Sequence, residues 1–195
     1  ANILYAQKFE TTNEVIKYFK LLIASDEEMP VPHSNLGGVY IGLQSYDKAI
    51  PEFEKELEIY EKWGSKPRWS FGYSGLGNAY HNTGQYKKEK KLYKKAKQDF
   101  PDDQGIIKRQ AILSLTIGKM NAAKEFIEKY KSILKNNGTS EANLTTNMAT
   151  IYSEAGNMNK AEEYYQQALS LEPKNPIRLN NLAWFLIDKD RNIDE

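Results

Sequence analysis

Residues 73–101 read YSGLGNAYHNTGQYKKEKKLYKKAKQDFP, and this stretch organises the rest of the chain. Tyr73, Leu76, Gly77 and Tyr80 fall at i, i+3, i+4 and i+7, one apolar stripe of an α-helix. Asn82-Thr83-Gly84 breaks that helix, and a second begins near Gln85 and ends at Pro101.

Tyr73, Leu76-Gly77, Tyr80, Gly84, Tyr86, Tyr93, Ala96 and Pro101 together resemble the helix–turn–helix signature of the tetratricopeptide repeat (TPR) family. Glu89 departs from it, standing where the family usually packs a small residue between the two helices. The resemblance implies an all-α fold: a right-handed TPR superhelix, or α-solenoid, of antiparallel helix pairs. It extends over the chain as about five repeats plus the first helix of a sixth, in a single solenoid domain spanning 1–195.

Residues 1–29 read as a degenerate repeat. Tyr5 and Ala6 belong to a first helix, Phe9 to Asn13 to a turn without glycine, and Val15, Phe19, Leu22 and Ile23 to the buried stripe of a second helix. Repeat two, 30–66, carries Leu36-Gly37, Tyr40, Tyr46, Ala49 and Phe53. From Leu36 to Leu76 is 40 residues, against a family period of 34, and the extra length falls between Glu61 and Trp69. Repeat three spans 70–103. Repeat four, 104–140, is degenerate, with Gly118, Ala123 and Ile127 holding the frame. Repeat five, 142–175, has Met148-Ala149, Tyr152, Gly156, Ala161, Tyr165, Ala168 and Pro173. Residues 176–195 open an incomplete sixth, with Asn175-Pro176 as N-cap and first helical residue. The final Asn192 to Glu195 looks like the start of a second helix, so an excised piece of a longer protein is expected, with targeting segments outside it.

Composition suits a solenoid. The 195 residues include 13 Tyr, and amphipathic Tyr fills seams whose ends stay wet. With 27 Lys+Arg against 26 Asp+Glu, net charge gives no global reason to expect nucleic acid or an anionic membrane. No run of 18 apolar residues occurs, so no membrane span is expected. The absence of Cys excludes disulfides, Cys-ligated metal and thiol catalysis, and leaves the compartment undecided.

Catalytic inventory is thin. The two histidines, His33 and His81, fall in different repeats, and no hydrolase, phosphate-loop or zinc-protease motif occurs. No metal or cofactor is expected. Glu52, Glu54, Glu56 and Glu58 read as solvated charge on an outer helix.

The family places ligands in a concave groove lined by first helices, and that geometry supplies the candidate residues. They are Phe71, Ser74, Asn78, His81 and Asn82 in repeat three, and Lys108 and Ile112 in repeat four. Repeat five adds Asn143, Thr146 and Thr150, and repeat six Asn180 and Trp184. Ser34, Gly38 and Gly42 leave repeat two nearly bare. The polar groups suit a peptide backbone, while Phe71, Ile112 and Trp184 suit apolar anchors. Repeat two has Ser34 and Gly38 where a chaperone-tail clamp would need Lys and Asn, so no tight binding to an acidic chaperone tail is expected.

Lys87, Lys88, Lys90, Lys91, Lys94, Lys95 and Lys97 invite a phosphate-bearing partner. The favoured reading pairs them with Glu52 to Glu61 of the preceding repeat, without nucleic acid. Trp63 and Trp69 are expected to fold back over a helix end. The expected function is a non-enzymatic scaffold binding a protein or peptide segment in the groove. The alternatives are a regulatory segment of a larger signalling protein, or self-association through an apolar C-terminal end of Leu182, Phe185 and Leu186.

Overall fold

The computed structural model describes the backbone over residues 2–191 and side chains over 11–190. The expected roles of Tyr5, Ala6 and Phe9 as side chains, and of Asn192 to Glu195, lie outside the described residues. The described residues form ten helices and no strand: α1 (Asn2–Ser25), α2 (Pro30–Gly42), α3 (Tyr46–Lys62), α4 (Phe71–Asn82), α5 (Tyr86–Asp99), α6 (Gln104–Thr116), α7 (Met120–Asn136), α8 (Glu141–Glu154), α9 (Met158–Leu171) and α10 (Pro176–Arg191). Contacts concentrate in two units that meet after Ile106, inside α6.

In the first unit α2 packs on α3 and α4 on α5, with α3 and α4 joining the two pairs. Leu36, Tyr40, Ala49, Ile50, Phe53, Leu76, Ala79 and Tyr80 make the core, and Ile16, Phe19 and Ile23 of α1 cover one side of it. The second unit buries Ile107, Ala111 and Ile112 of α6 with Ile127, Tyr130, Leu134, Leu144, Met148 and Ile151. There α9 packs on both α8 and α10.

The sharp turns follow one design. Gly84, at φ 69°, lets the Gln85 N–H reach back to the Tyr80 carbonyl at 2.8 Å, closing α4 with a left-handed residue that glycine adopts without a Cβ clash. Gly156, at φ 79°, does the same for the Asn157 N–H and the Tyr152 carbonyl, also at 2.8 Å. Gln44 holds this role at φ 55° after α2, the one such non-Gly residue among those described.

Two expectations for the N-terminal repeat change. The backbone is helical straight through residues 9–13, so no turn divides α1; the segment contains neither Gly nor Pro to stop it. Leu22 is 46% exposed, and Ile16 takes its place beside Phe19 and Ile23, because one continuous helix turns a different stripe inward.

Candidate functional site

In α4, α8 and α10 one face packs on a neighbouring helix and another carries exposed residues. In the first unit the open face of α4 begins at Phe71, 51% exposed, whose ring stands edge-on to the buried Phe53 with centroids 5.8 Å apart. Phe71 also fills the space beside Gly38 of α2: a Cβ there would lie 3.0 Å from the ring tip. The bare stretch of α2 is therefore partly roofed by an aromatic from the next repeat.

Along α4, the Ser74 hydroxyl donates to the Phe71 carbonyl at 3.0 Å. The Asn82 amide donates to the Asn78 carbonyl at 2.9 Å and to the Asn78 side-chain oxygen at 2.8 Å. His81 turns away from the open face. Its Nδ1 lies 3.0 Å from Glu89 Oε2, and its ring packs edge-on to Tyr86. Glu89, the departure from the family pattern, is fully buried, and His81 supplies the polar contact that such burial requires.

In the second unit Lys108 Nζ and Arg109 Nη1 converge on the Glu154 carboxylate at 2.9 and 2.5 Å. Burial alone would raise that carboxyl, but the two cations outweigh it and hold it below the usual range. Lys108 is thus committed to a structural ion pair. Ile112 is fully buried in the core, a correction to its expected role as a groove anchor. The α6 register turns it, with Ala111, into the core that α7 and α8 share.

Asn143, Thr146 and Thr150 lie along α8. The Thr146 and Thr150 hydroxyls donate back to the Ala142 and Thr146 carbonyls at 2.9 and 3.1 Å, leaving their oxygens as acceptors. A residue unnoticed in the sequence organises this face. Arg178 of α10 is 6% exposed and donates to Glu172 Oε2 at 3.0 Å, Thr146 Oγ1 at 3.2 Å and Asn143 Oδ1 at 2.5 Å. An arginine after a helix-opening proline ordinarily reads as solvated, so no periodicity signalled it. Asn180 is exposed, and Trp184 is 56% exposed.

Lys95 and Lys88 of α5 pair with Glu61 and Glu54 of α3 at 3.0 and 3.9 Å, as the charge-matching reading expects. Glu56 does not belong with that solvated run. It is 6% exposed, and burial outweighs a hydrogen bond from Ser34 to push its carboxyl up to about 7. Trp63 and Trp69 are 54% and 62% exposed, so they do not fold back; Trp63 meets Tyr60 edge-on and Arg68 lies over Trp69. Phe185 is 5% exposed against Tyr165, which removes it from the expected open end. A cleft of 550 Å³ between α7, α8 and α9, lined by Lys131, Lys135, Leu144, Met148 and Tyr164, has no counterpart in the sequence reading. Among the described residues no helix is long and apolar enough to cross a membrane.

Residues 28–99 and 142–175 each match a tetratricopeptide repeat family model. The chain belongs to the TPR family. Its TPR fold is similar to that of a thermophilic TPR protein from Thermus thermophilus, at 15% identity over 94% of this chain and 95% of that one, with TM-score 0.63. MamA from Desulfovibrio magneticus RS-1 is similar at 16% identity over 90% and 94%, with TM-score 0.62. YrrB, described as a TPR protein with an unusual peptide-binding site, follows at 18% identity over 91% and 88%, with TM-score 0.56. In sequence, 37 residues are 54% identical to the photosystem I assembly protein Ycf3 of Cyanophora paradoxa; the match spans 19% of this chain and 21% of that protein. As a member of that family the chain is a protein-interaction scaffold.

Proposed function

We propose that the open faces of the first helices bind an extended peptide or protein segment. The observation that carries this reading is a half-exposed aromatic on an open helix face in each unit, Phe71 on α4 with Ser74 one turn on, and Trp184 on α10 with Asn180 one turn before it. Large aromatics give anchoring area with little conformational entropy to lose, and amide and hydroxyl groups match a peptide backbone without selecting charge. Asn78, Asn82 and Ser74 flank Phe71, while Asn180 accompanies Trp184. Asn143 and Thr146 belong to the same reading as acceptors oriented by Arg178, and Thr150 follows one turn further along α8. His81, Lys108 and Ile112 are left out of it, since Glu89, Glu154 and the core engage them.

The test is selection of binders from a displayed peptide library against the whole chain, followed by titration of the selected peptides. Phe71→Ala or Trp184→Ala is expected to weaken them about tenfold. Unchanged affinity in both variants would overturn the reading.

A second reading, self-association, rests on a different observation. Leu179, Leu186 and Ile187 of α10 are 50%, 38% and 43% exposed along one apolar side. Light scattering across a concentration series separates the two readings. A mass near 22.4 kDa at every concentration counts against self-association. A dimer that Ile187→Glu dissolves supports it.

A further inference from the structure

Helix α5, YKKEKKLYKKAKQD, carries seven lysines, and the structure sorts them into two sets. Glu89, Tyr93 and Ala96 face inward. At 100° per residue, Lys88 and Lys95 lie along the edge that meets α3. They pair there with Glu54 and Glu61, two carboxylates that are, like the lysines, seven residues apart. Lys87, Lys91 and Lys94 lie outermost, and Lys90 and Lys97 along the edge opposite α3. All five are exposed and hold no ion pair among the described residues.

The two sets share a spacing. Lys87 and Lys94 are seven apart, and so are Lys90 and Lys97. The arrangement that receives the acidic helix α3 on one side is therefore repeated, without an acidic helix, on the rest of the exposed surface. Like charges crowded on one helix repel at i+3 and i+4, so the stripe is held at a cost that an acidic partner would relieve.

We propose that α5 docks an acidic helix of a partner protein along Lys87, Lys90, Lys91, Lys94 and Lys97, in the way that α3 engages Lys88 and Lys95. Within the stripe Lys87 and Lys94, like Lys90 and Lys97, are seven residues apart, about 10.5 Å of straight helix, which matches two successive heptad positions on a partner helix. The helix contains no Arg to grip phosphate in bidentate fashion; of its two rings Tyr93 is buried and Tyr86 packs edge-on against His81, so neither is set out on the lysine face for a nucleobase to stack on. This surface belongs to a second helix and not to the first-helix faces, so the inference stands independently of peptide binding there.

The test uses the whole chain and a labelled helical peptide of three heptads with glutamates seven apart on one face. A peptide of the same composition in scrambled order, a DNA duplex and phosphatidylserine vesicles serve as comparison probes. The ordered peptide is expected to bind at low salt, and to weaken about tenfold both on raising salt and in Lys87→Glu/Lys94→Glu. Lys124→Glu on α7 is expected to change nothing. Melting temperature reports whether the charge-reversed variant folds, and Lys87→Gln/Lys94→Gln repeats the comparison with milder changes. Equal binding of the scrambled peptide, tighter binding of duplex or vesicle, or indifference to both double variants would overturn the proposal.

Discussion

The carboxyl of Glu56 occupies the space beside Gly72: a Cβ at position 72 would overlap it, and only glycine lets the carboxyl sit between α3 and α4. Glu56 is 6% exposed, accepts from Ser34, and has its Oε2 buried without a hydrogen-bond partner. A carboxyl in such a place keeps its proton well above the ordinary carboxylate range.

This predicts a pH dependence. With the folded carboxyl up at about 7 and an ordinary value of 4.5, the native state keeps its proton where the unfolded chain has lost it. Stability is therefore greatest at or below the unfolded value and falls as pH rises from about 4.5 through 7, by up to about 3 kcal/mol. Glu56→Gln removes that slope. Melting curves of both proteins between pH 5 and 9 are expected to diverge with rising pH, the variant being the more stable above 7. Parallel curves would contradict the assignment.

Helical glycines separate into tight and open sites. At Gly75 a Cβ would overlap the Phe53 ring, while at Gly42 nothing lies within 4 Å. Gly75→Ala is expected to destabilise by about 1–3 kcal/mol despite its better helix propensity. Gly42→Ala is expected to stabilise by about 0.5–1 kcal/mol. Denaturant midpoints read both, and opposite signs are the decisive feature.

Removing the imidazole from His81 strands a carboxylate oxygen of the fully buried Glu89. His81→Ala is expected to cost about 1–3 kcal/mol. In the double variant His81→Ala/Glu89→Ala the loss is expected to be less than the sum of the two single losses, since the stranded acceptor is gone. Additive losses in the thermodynamic cycle would show that the two side chains act separately.

Arg178 ties α10 to α8 through Asn143 and Thr146 and closes on Glu172. Arg178→Ala is expected to cost about 2 kcal/mol, and Arg178→Lys to recover little of it, because an ammonium cannot span three acceptors in fixed directions. Hydrogen exchange supplies the check: α10 amides are expected to exchange faster in both variants. Unchanged protection would mean that the Phe185–Tyr165 contact and the Lys189–Glu162 ion pair hold the helix without Arg178.

What was legible in the sequence is what local chemistry settles. Tyr80 to Gln85 encodes its own turn, since a glycine free to adopt positive φ lies between a helix and a new one. The acidic α3 and the basic α5 announce their pairing because charge complementarity needs only neighbouring repeats. Residues 9–13 show the limit: without a breaker the chain simply continues as helix, whatever the repeat phase suggests.

The candidate site was legible only in part. First-helix positions were correctly placed on helices, yet Ile112 proved to be core, Lys108 an ion-pair partner of Glu154, and His81 the partner of Glu89. Each depended on a residue distant in sequence. Arg178 gave no signal, while Glu56 read as solvated and Trp63 and Trp69 as folded back, and the structure reverses both readings, since burial depends on what packs over a side chain. The sequence by itself determined the helices, their turns and the repeating seams, all set by periodicities and backbone preferences acting within a few residues. Only the tertiary structure decided which polar side chains are buried, paired or left open, because desolvation and hydrogen bonding are properties of neighbours that the chain brings together across repeats.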